Sequence, residues 1–314
     1  MTRVALIGCG SHSGQHHAAP LAHYVSRHPG EVELAAACDL DLAKAEHFCE
    51  LYGFRRAYTD LERMLAAERP DLVVCVMPIP LVTPVATLLL ERGVPCTIEK
   101  PFGLTLADAA ALRDAAVRTG TPHMVSMNRR FAPYLVRAAQ WVGEAGPLLY
   151  LRALMARVAR TETRFTWGTG VHAVDAVRHF GGEVSESRVT TQRTPGGRLW
   201  IHLELSHAGG ARGDVTLVPT SGRQEERYEF VSEGRFAEVY LPRSAGPAGA
   251  RLSCWEGGKL VIDESPADDV PGFMLNGAYH ETCALLDRWR RGEPLTPTAA
   301  DVFESLRLCD VAEE

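Results

Sequence analysis

The sequence has no apolar stretch near the ~20 residues that cross a bilayer. The run that follows Met1-Thr2-Arg3 is broken at once by glycines, so neither a spanning helix nor an export signal is expected. Blocks of like charge are missing as well. With 33 basic and 39 acidic residues the formal net charge is −6, and neither nucleic acid nor an anionic membrane is expected as a partner. The eight cysteines (Cys9, Cys38, Cys49, Cys75, Cys96, Cys254, Cys283, Cys309) include no C-x-x-C pair, and several fall in apolar runs where a thiol simply packs. A reduced, cytoplasmic setting is the expectation. There is no internal repeat.

What is present is a chain of 314 residues, enough for two cores of ordinary size. The first part alternates short apolar runs with amphipathic segments. Val4–Ile7, Val32–Cys38, Leu72–Val76, Cys96–Ile98 and Met124–Met127 read as buried parallel strands. Between them Leu42–Tyr52, Leu61–Ala67, Val82–Glu91 and Leu106–Arg118 repeat apolar residues every three or four positions and predict helices. Thr105 with Asp108 predicts a capping pair, and Gly120 a stop. Beyond Asn128 the pattern changes. A helix (Pro133–Val142), a strand (Leu148–Val158) and a second helix (Val171–Phe180) precede β-like runs at Leu199–His207, Gly213–Val218, Arg227–Val231, Ala237–Leu241, Ala250–Trp255 and Lys259–Ile262. Successive strands with Gly and Pro punctuation imply a largely antiparallel sheet in an α+β domain. Tyr279–Arg290 and Ala299–Ala312 predict closing helices, the latter with Thr298 and Asp301 at cap spacing, and Pro242–Gly249 predicts a mobile loop.

Three motifs carry chemistry. Gly8-Cys9-Gly10-Ser11-His12-Ser13-Gly14 follows the opening strand and precedes a helix. There, backbone N–H groups and a helix N-terminus can meet a pyrophosphate, and glycine clears the approach. The spacing is one residue longer than G-x-G-x-x-G, and a plain glycine-rich turn is the alternative. Asp39 ends the second strand, where a carboxylate can accept from ribose hydroxyls or cap the next helix. Because that charge opposes a 2′-phosphate and no basic residue follows until Lys44, NAD is expected rather than NADP. Glu99-Lys100-Pro101 directly follows the Cys96–Ile98 run, so Lys100 lies at the carboxyl edge of the sheet, where ligands bind. Finally, His172 and Asp175 stand three apart at a helix start and can share a face. Arg157, Arg160 and Arg164 lead into that helix, either as anchors for a hydroxyl-rich or anionic substrate or as a solvated basic face. His16 and His17 lack other ligand types at convincing spacing, so no metal is expected.

These motifs, with Tyr58-Thr59-Asp60-Leu61, Asn128-Arg129-Arg130-Phe131, Gly170-Val171-His172-Ala173-Val174-Asp175 and Gly292-Glu293-Pro294, resemble in order and spacing the Gfo/Idh/MocA oxidoreductases. That family is named for glucose-fructose oxidoreductase, inositol dehydrogenase and a rhizopine-catabolism protein. The resemblance covers nearly the whole chain. It implies a Rossmann dinucleotide-binding domain over 1–127, followed by an α+β substrate domain over 128–295 on an open, mostly antiparallel sheet. That sheet would pair subunits into a homodimer or homotetramer, and a helix within 296–314 would return to the first domain. It further implies that Lys100 hydrogen-bonds the reacting oxygen through a cis Lys100–Pro101 arrangement, and that His172 exchanges the proton. Glu99 and Asn128 would line the nicotinamide side, and Met77 and Pro78 would touch the cofactor. Two positions depart from the family pattern. Gly168 stands where inositol-dehydrogenase-like members carry an aspartate four residues before the histidine, leaving Asp175 or a substrate hydroxyl to set the tautomer of His172, or His172 to serve mainly in binding, and Thr83 stands where many members have a histidine.

The activity implied is NAD(P)-dependent hydride transfer at a hydroxyl or carbonyl carbon of a sugar, cyclitol or related polyol-like substrate. The alternatives are a redox-neutral enzyme with tightly held NAD and a cofactor-binding regulatory protein without chemistry.

Overall fold

Strands buried on both faces need no alternation, and the first unit is made from such strands. β1 (Thr2–Ile7), β2 (Val32–Cys38), β3 (Arg56–Tyr58), β4 (Leu72–Cys75), β5 (Cys96–Ile98) and β6 (His123–Val125) pair in parallel in the order β3-β2-β1-β4-β5-β6. The order reverses between β1 and β4, where open α/β sheets receive ligands beyond the carboxyl ends of their strands. This computed structural model describes residues 1–243 and 246–313. Part of the predicted Pro242–Gly249 loop, residues 244 and 245, therefore lies outside the described residues, as does the last residue of the predicted C-terminal segment.

The crossovers are α1 (Ser11–Ser13), α2 (Ala19–Arg27), α3 (Leu42–Tyr52), α4 (Leu61–Glu68), α5 (Ile79–Glu91) and α6 (Leu106–Thr119). Their ends follow local chemistry. The Asp41 side chain accepts from the Ala43 N–H at the start of α3, and Gly53 closes that helix at φ +84°. Thr105 and Asp108 satisfy each other's backbone N–H groups in a capping box at the start of α6, and Gly120 closes it at φ +62°. α5 starts three residues earlier than the periodicity predicts, because Pro80 in its first turn occupies a place that needs no N–H donor. β3 carries no signal in the apolar pattern, being three residues long and nowhere fully buried.

The second unit holds one eight-stranded sheet. Its strands are β7 (Tyr150–Ala156), β8 (Val184–Arg193), β9 (Leu199–His207), β10 (Arg212–Val218), β11 (Glu225–Ser232), β12 (Arg235–Tyr240), β13 (Arg251–Glu256) and β14 (Lys259–Glu264), in the order β14-β13-β12-β11-β7-β10-β9-β8. All neighbours are antiparallel except β7 and β10. α7 (Pro133–Gly143) packs over β11 and β12, α8 (Val171–Gly181) packs over β7 and β10, and the short α9 (Gly272–Leu275) lies beside α7. Burial alternates residue by residue along β10 and β11, so one face of these strands is covered and the other is not. β8 escapes the sequence reading for the complementary reason. It is an edge strand with no fully buried residue, so no hydrophobic alternation marks it.

The units divide the chain as Met1–Ser126 with Ala278–Glu304, and Met127–Gly277 with Ser305–Glu314. This differs from the expected division, which assigned everything to residue 295 to the second domain and returned 296–314 to the first. α10 (Ala278–Arg291) belongs to the first unit, where it packs along α2 and its Glu281 accepts from the Ser126 hydroxyl at 2.7 Å. α11 (Ala299–Val311) falls partly in each unit. In its first turn, capped by Thr298 and Asp301, the Ala299 N–H donates to His123 Nε2, while Ser305 donates to Asp175 in the second unit. Side-chain partners of this kind, far apart in sequence, leave no periodic trace.

Within the second unit a carboxylate sits out of water on β11. Glu226 accepts both nitrogens of an Arg129 fork at 2.8 and 2.9 Å, a further bond from Arg157, and one from the Tyr228 hydroxyl at 3.0 Å. Burial pushes its carboxyl up, but the Arg129 and Arg157 guanidinium groups outweigh burial and hold it well below the usual range. A depressed folded-state value stabilises the protein above the unfolded-state value of about 4.3 and loses that stabilisation as pH falls toward the folded one. Urea midpoints measured through this acid range should therefore fall with pH. In Glu226→Gln that acid limb should be flatter and the protein less stable at pH 7. An unchanged acid limb in the variant would contradict the assignment.

Candidate cofactor-binding and catalytic site

β1 is followed by Gly8, whose φ is +89° and whose missing Cβ would lie 1.9 Å from the Val76 carbonyl oxygen. The ends of β1 and β4 therefore pass at a distance only glycine permits. Gly10 borders open space, and a Cβ on Gly14 would meet the Tyr52 hydroxyl of α3 at 2.6 Å. The first glycine thus makes the turn, the second leaves an approach to the backbone, and the third lets the helix pack. Asp39 is fixed across this turn: Oδ2 accepts from the Cys9 N–H at 2.8 Å and Oδ1 from the Asp41 N–H at 3.0 Å. The capping role that was the alternative for Asp39 belongs to Asp41. Half-buried Met77 and exposed Pro78 follow β4 beside the turn, and Pro78 precedes α5. An open second glycine and an anchored carboxylate beyond β2 are what a dinucleotide's pyrophosphate and ribose require, so the residues present fit that cofactor.

The one extra residue in the glycine motif is taken up by a wider helical turn. Gly14–Ala18 form a π-turn, with i→i+5 bonding, between α1 and α2. On a regular α-helix residues five apart point about 140° from each other. Here His12 and His17 converge on one carboxylate. His17 Nε2 lies 2.8 Å from Glu99 Oε2, His12 Nε2 lies 3.4 Å from Glu99 Oε1, and Lys100 Nζ lies 4.0 Å from the same oxygen. Glu99, His17 and Lys100 have side chains no more than 9% exposed, whereas His12 is 50% exposed. Burial pushes the Glu99 carboxyl up, but hydrogen bonds from His12 and His17 outweigh it and hold it well below the ordinary range. The Lys100–Pro101 peptide is cis, as expected. The grouping of His12, His17 and Glu99 is what the sequence reading missed, since α-helical spacing separates the histidines and 82 residues separate His17 from Glu99.

In the second unit Asn128 is buried at the start of a 3-10 turn, and its Oδ1 accepts from Arg129 at 3.1 Å. His172 is half-buried in the first turn of α8, directly after a second π-turn at Thr166–Gly170. Gly170 lies where a Cβ would meet Leu217 at 2.6 Å, whereas Gly168 borders open space. Asp175 is held by partners from other segments of the unit. It has no solvent exposure and accepts both Nε and Nη2 of Arg130 at 2.8 and 2.7 Å, and the Ser305 hydroxyl at 2.7 Å. A buried carboxylate with a bidentate guanidinium is a structural ion pair, a place the sequence reading did not give Asp175. The three arginines before the helix have carboxylate partners as well. Arg157 is buried against Glu226, Arg160 pairs with Glu162 and Thr169, and Arg164 pairs with Asp310 and Glu313 over the Trp167 ring. Arg157 and Arg164 are thus engaged within the second unit, whereas Arg160 is exposed.

Residues 2–127 match the model of an oxidoreductase family with an NAD-binding Rossmann fold, the Gfo/Idh/MocA family. D-Apiose dehydrogenase of Paraburkholderia graminis is 32% identical over 98% of this chain and 85% of its own length. Inositol 2-dehydrogenase of Corynebacterium glutamicum is 25% identical over 83% of this chain and 78% of its own. An oxidoreductase from Agrobacterium radiobacter, solved with NAD+, L-tartaric acid and magnesium, has the same fold, with a TM-score of 0.79 at 21% identity over 99% of this chain and 95% of that one. The chain belongs to the Gfo/Idh/MocA family: it is an oxidoreductase whose first unit is an NAD-binding Rossmann domain. No helix among the described residues is long and apolar enough to cross a membrane.

The buried Asp175 pair yields a direct test. Asp175→Asn strands the Arg130 charge and should lower unfolding stability by about 3–5 kcal/mol, the usual cost of breaking a buried pair from one side. Denaturant unfolding measures it. A variant as stable as the parent but slow in turnover would return Asp175 to a catalytic role.

Proposed function

We propose that this protein oxidises a secondary hydroxyl, or reduces the corresponding carbonyl, on a sugar, cyclitol or related polyol-like substrate, with NAD as the hydride partner. The observation that carries the reading is Lys100. The chain has only three lysines, Lys44, Lys100 and Lys259. One of them is 9% exposed at the carboxyl edge of the sheet, following β5 and 4.0 Å from buried Glu99. The sugar and cyclitol dehydrogenases among the relatives support the same substrate class.

When bound, the nicotinamide supplies or takes up a hydride. Gly8, Gly10, Ser11, His12 and Gly14 form the turn that receives the dinucleotide, Met77 and Pro78 border it, and Asp39 accepts from its adenosine ribose. Glu99 and Asn128 line the nicotinamide side. Lys100, as an ammonium, donates a hydrogen bond to the reacting oxygen and stabilises the negative charge that gathers there as the hydroxyl proton leaves or, in reduction, as hydride reaches the carbonyl carbon. His172 takes the hydroxyl proton, a task suited to an imidazole near neutral pH, and returns it in the reverse direction. Gly168 carries no side chain, and the Asp175 carboxylate is paired with Arg130 and Ser305. We further assign the uncovered face of the eight-stranded sheet to pairing of subunits in a homodimer or homotetramer. All eight cysteines are free thiols, which supports a reducing, cytoplasmic setting.

Two measurements test this reading. Calorimetric titration should show NADH binding more tightly than NADPH. In Asp39→Ala, where Cys9 also loses its acceptor, the preference should shrink by about 1–3 kcal/mol, the worth of charge-assisted hydrogen bonds. Tighter binding of NADPH by the parent protein would refute the role of Asp39. Single-turnover hydride transfer, followed as NADH fluorescence on a panel of sugars and cyclitols, should drop by roughly 10² to 10⁴-fold in Lys100→Ala and in His172→Ala, with cofactor affinity little changed. Rates that survive both substitutions would remove these residues from the chemistry.

A further inference from the structure

We propose that His12, His17 and Glu99 form a binding site for a borderline divalent transition-metal ion, with zinc the best fit. Two imidazoles and one carboxylate are a donor set such ions favour, and three protein ligands leave a coordination position open. The geometry is close to prepared. Ligand atoms of the three residues all lie within 4.8 Å of one another. Bonds of ~2.0–2.2 Å at tetrahedral angles place ligand atoms roughly 3.3–3.5 Å apart, and His12 Nε2 already stands 3.4 Å from Glu99 Oε1. His17 Nε2 stands 2.8 Å from the other carboxylate oxygen, Oε2, so modest side-chain shifts bring both imidazoles and one Glu99 oxygen around a single ion.

Burial also fits. Glu99 and His17 are held under the surface, and half-exposed His12 is the way in for an ion from solvent. The π-turn at Gly14–Ala18 is the device that makes the pair of histidines, because it brings residues five apart to one carboxylate. An ion here would draw the Glu99 charge away from Lys100, 4.0 Å from Oε1. If Lys100 acts as proposed above, occupation of the site therefore inhibits turnover; binding of the ion itself does not depend on that reading.

The test uses the full-length protein free of any histidine tag, with Co2+ as the probe. Titration should give the intense visible absorption of four-coordinate Co2+ at one ion per chain, and added Zn2+ should abolish it. His12→Ala, which removes an exposed ligand, should weaken Co2+ affinity by at least about tenfold, and Glu99→Gln likewise. His16→Ala, next to the site with its ring centroid 4.6 Å from that of His12 but not among the ligands, should bind as the parent does. Absence of a four-coordinate spectrum, unaltered affinity in His12→Ala, or loss of binding in His16→Ala in place of His12→Ala would each overturn the site. Zinc that binds with this pattern yet leaves turnover at its parent rate would overturn the inhibitory consequence alone. A protein that binds Co2+ in this way but turns over no polyol would refute the catalytic reading without touching the site.

Discussion

A carboxylate taken out of water must be met by donors, and three of the buried carboxylates shape the sites of this chain. Glu99, Asp175 and Glu226 are each less than 9% exposed. Leaving any of them unpaired would cost more than most single contacts contribute. Glu99 is answered by two histidines of the glycine-turn helix, Asp175 by the Arg130 fork and a serine of α11, and Glu226 by two guanidinium groups and a tyrosine. The difference between them is chemical. The arginine-bound carboxylates sit in fixed ion pairs of the second unit, whereas the histidine-bound one is met by two imidazole nitrogens.

The glycine turn shows how a single added residue reshapes a site without disturbing the fold around it. Gly8 and Gly14 are pinned at the two ends of the turn, one under the Val76 carbonyl and the other against Tyr52. A chain with one residue more than the shorter fingerprint cannot lengthen outward between those fixed points. The helix absorbs the residue by widening for a turn, and the rest of α2 proceeds in ordinary register. A similar wide turn immediately precedes α8, where the close approach of Gly170 to Leu217 fixes the entry of the helix that carries His172. Helical turns of this kind cluster at functional positions in proteins generally, and both in this chain adjoin residues assigned to the chemistry.

Local readings succeeded where a residue's environment is decided by its neighbours in sequence. α3 spans Leu42–Tyr52 and β9 spans Leu199–His207, as the apolar spacing predicts, and the capping pairs at Thr105 and Thr298 are formed. Edge strand β8 failed because exposure on both faces erases the pattern by which strands are recognised. Asp175 failed differently. Its spacing from His172 is a true helical neighbour relation, yet the side chain turns to Arg130 and to Ser305, which is 130 residues away.

The sequence by itself thus determined the alternation of strands and helices, the glycine turn after β1, the carboxylate beyond β2 and the family these residues belong to. Each depends on backbone sterics or short-range periodicity, and both are written in consecutive residues. Only the tertiary structure decided which buried charge meets which base, where α10 and α11 are assigned, and that His12 and His17 converge on Glu99. Desolvation makes every buried charge require a partner, but the identity of that partner is set by the packing of segments up to 155 residues apart.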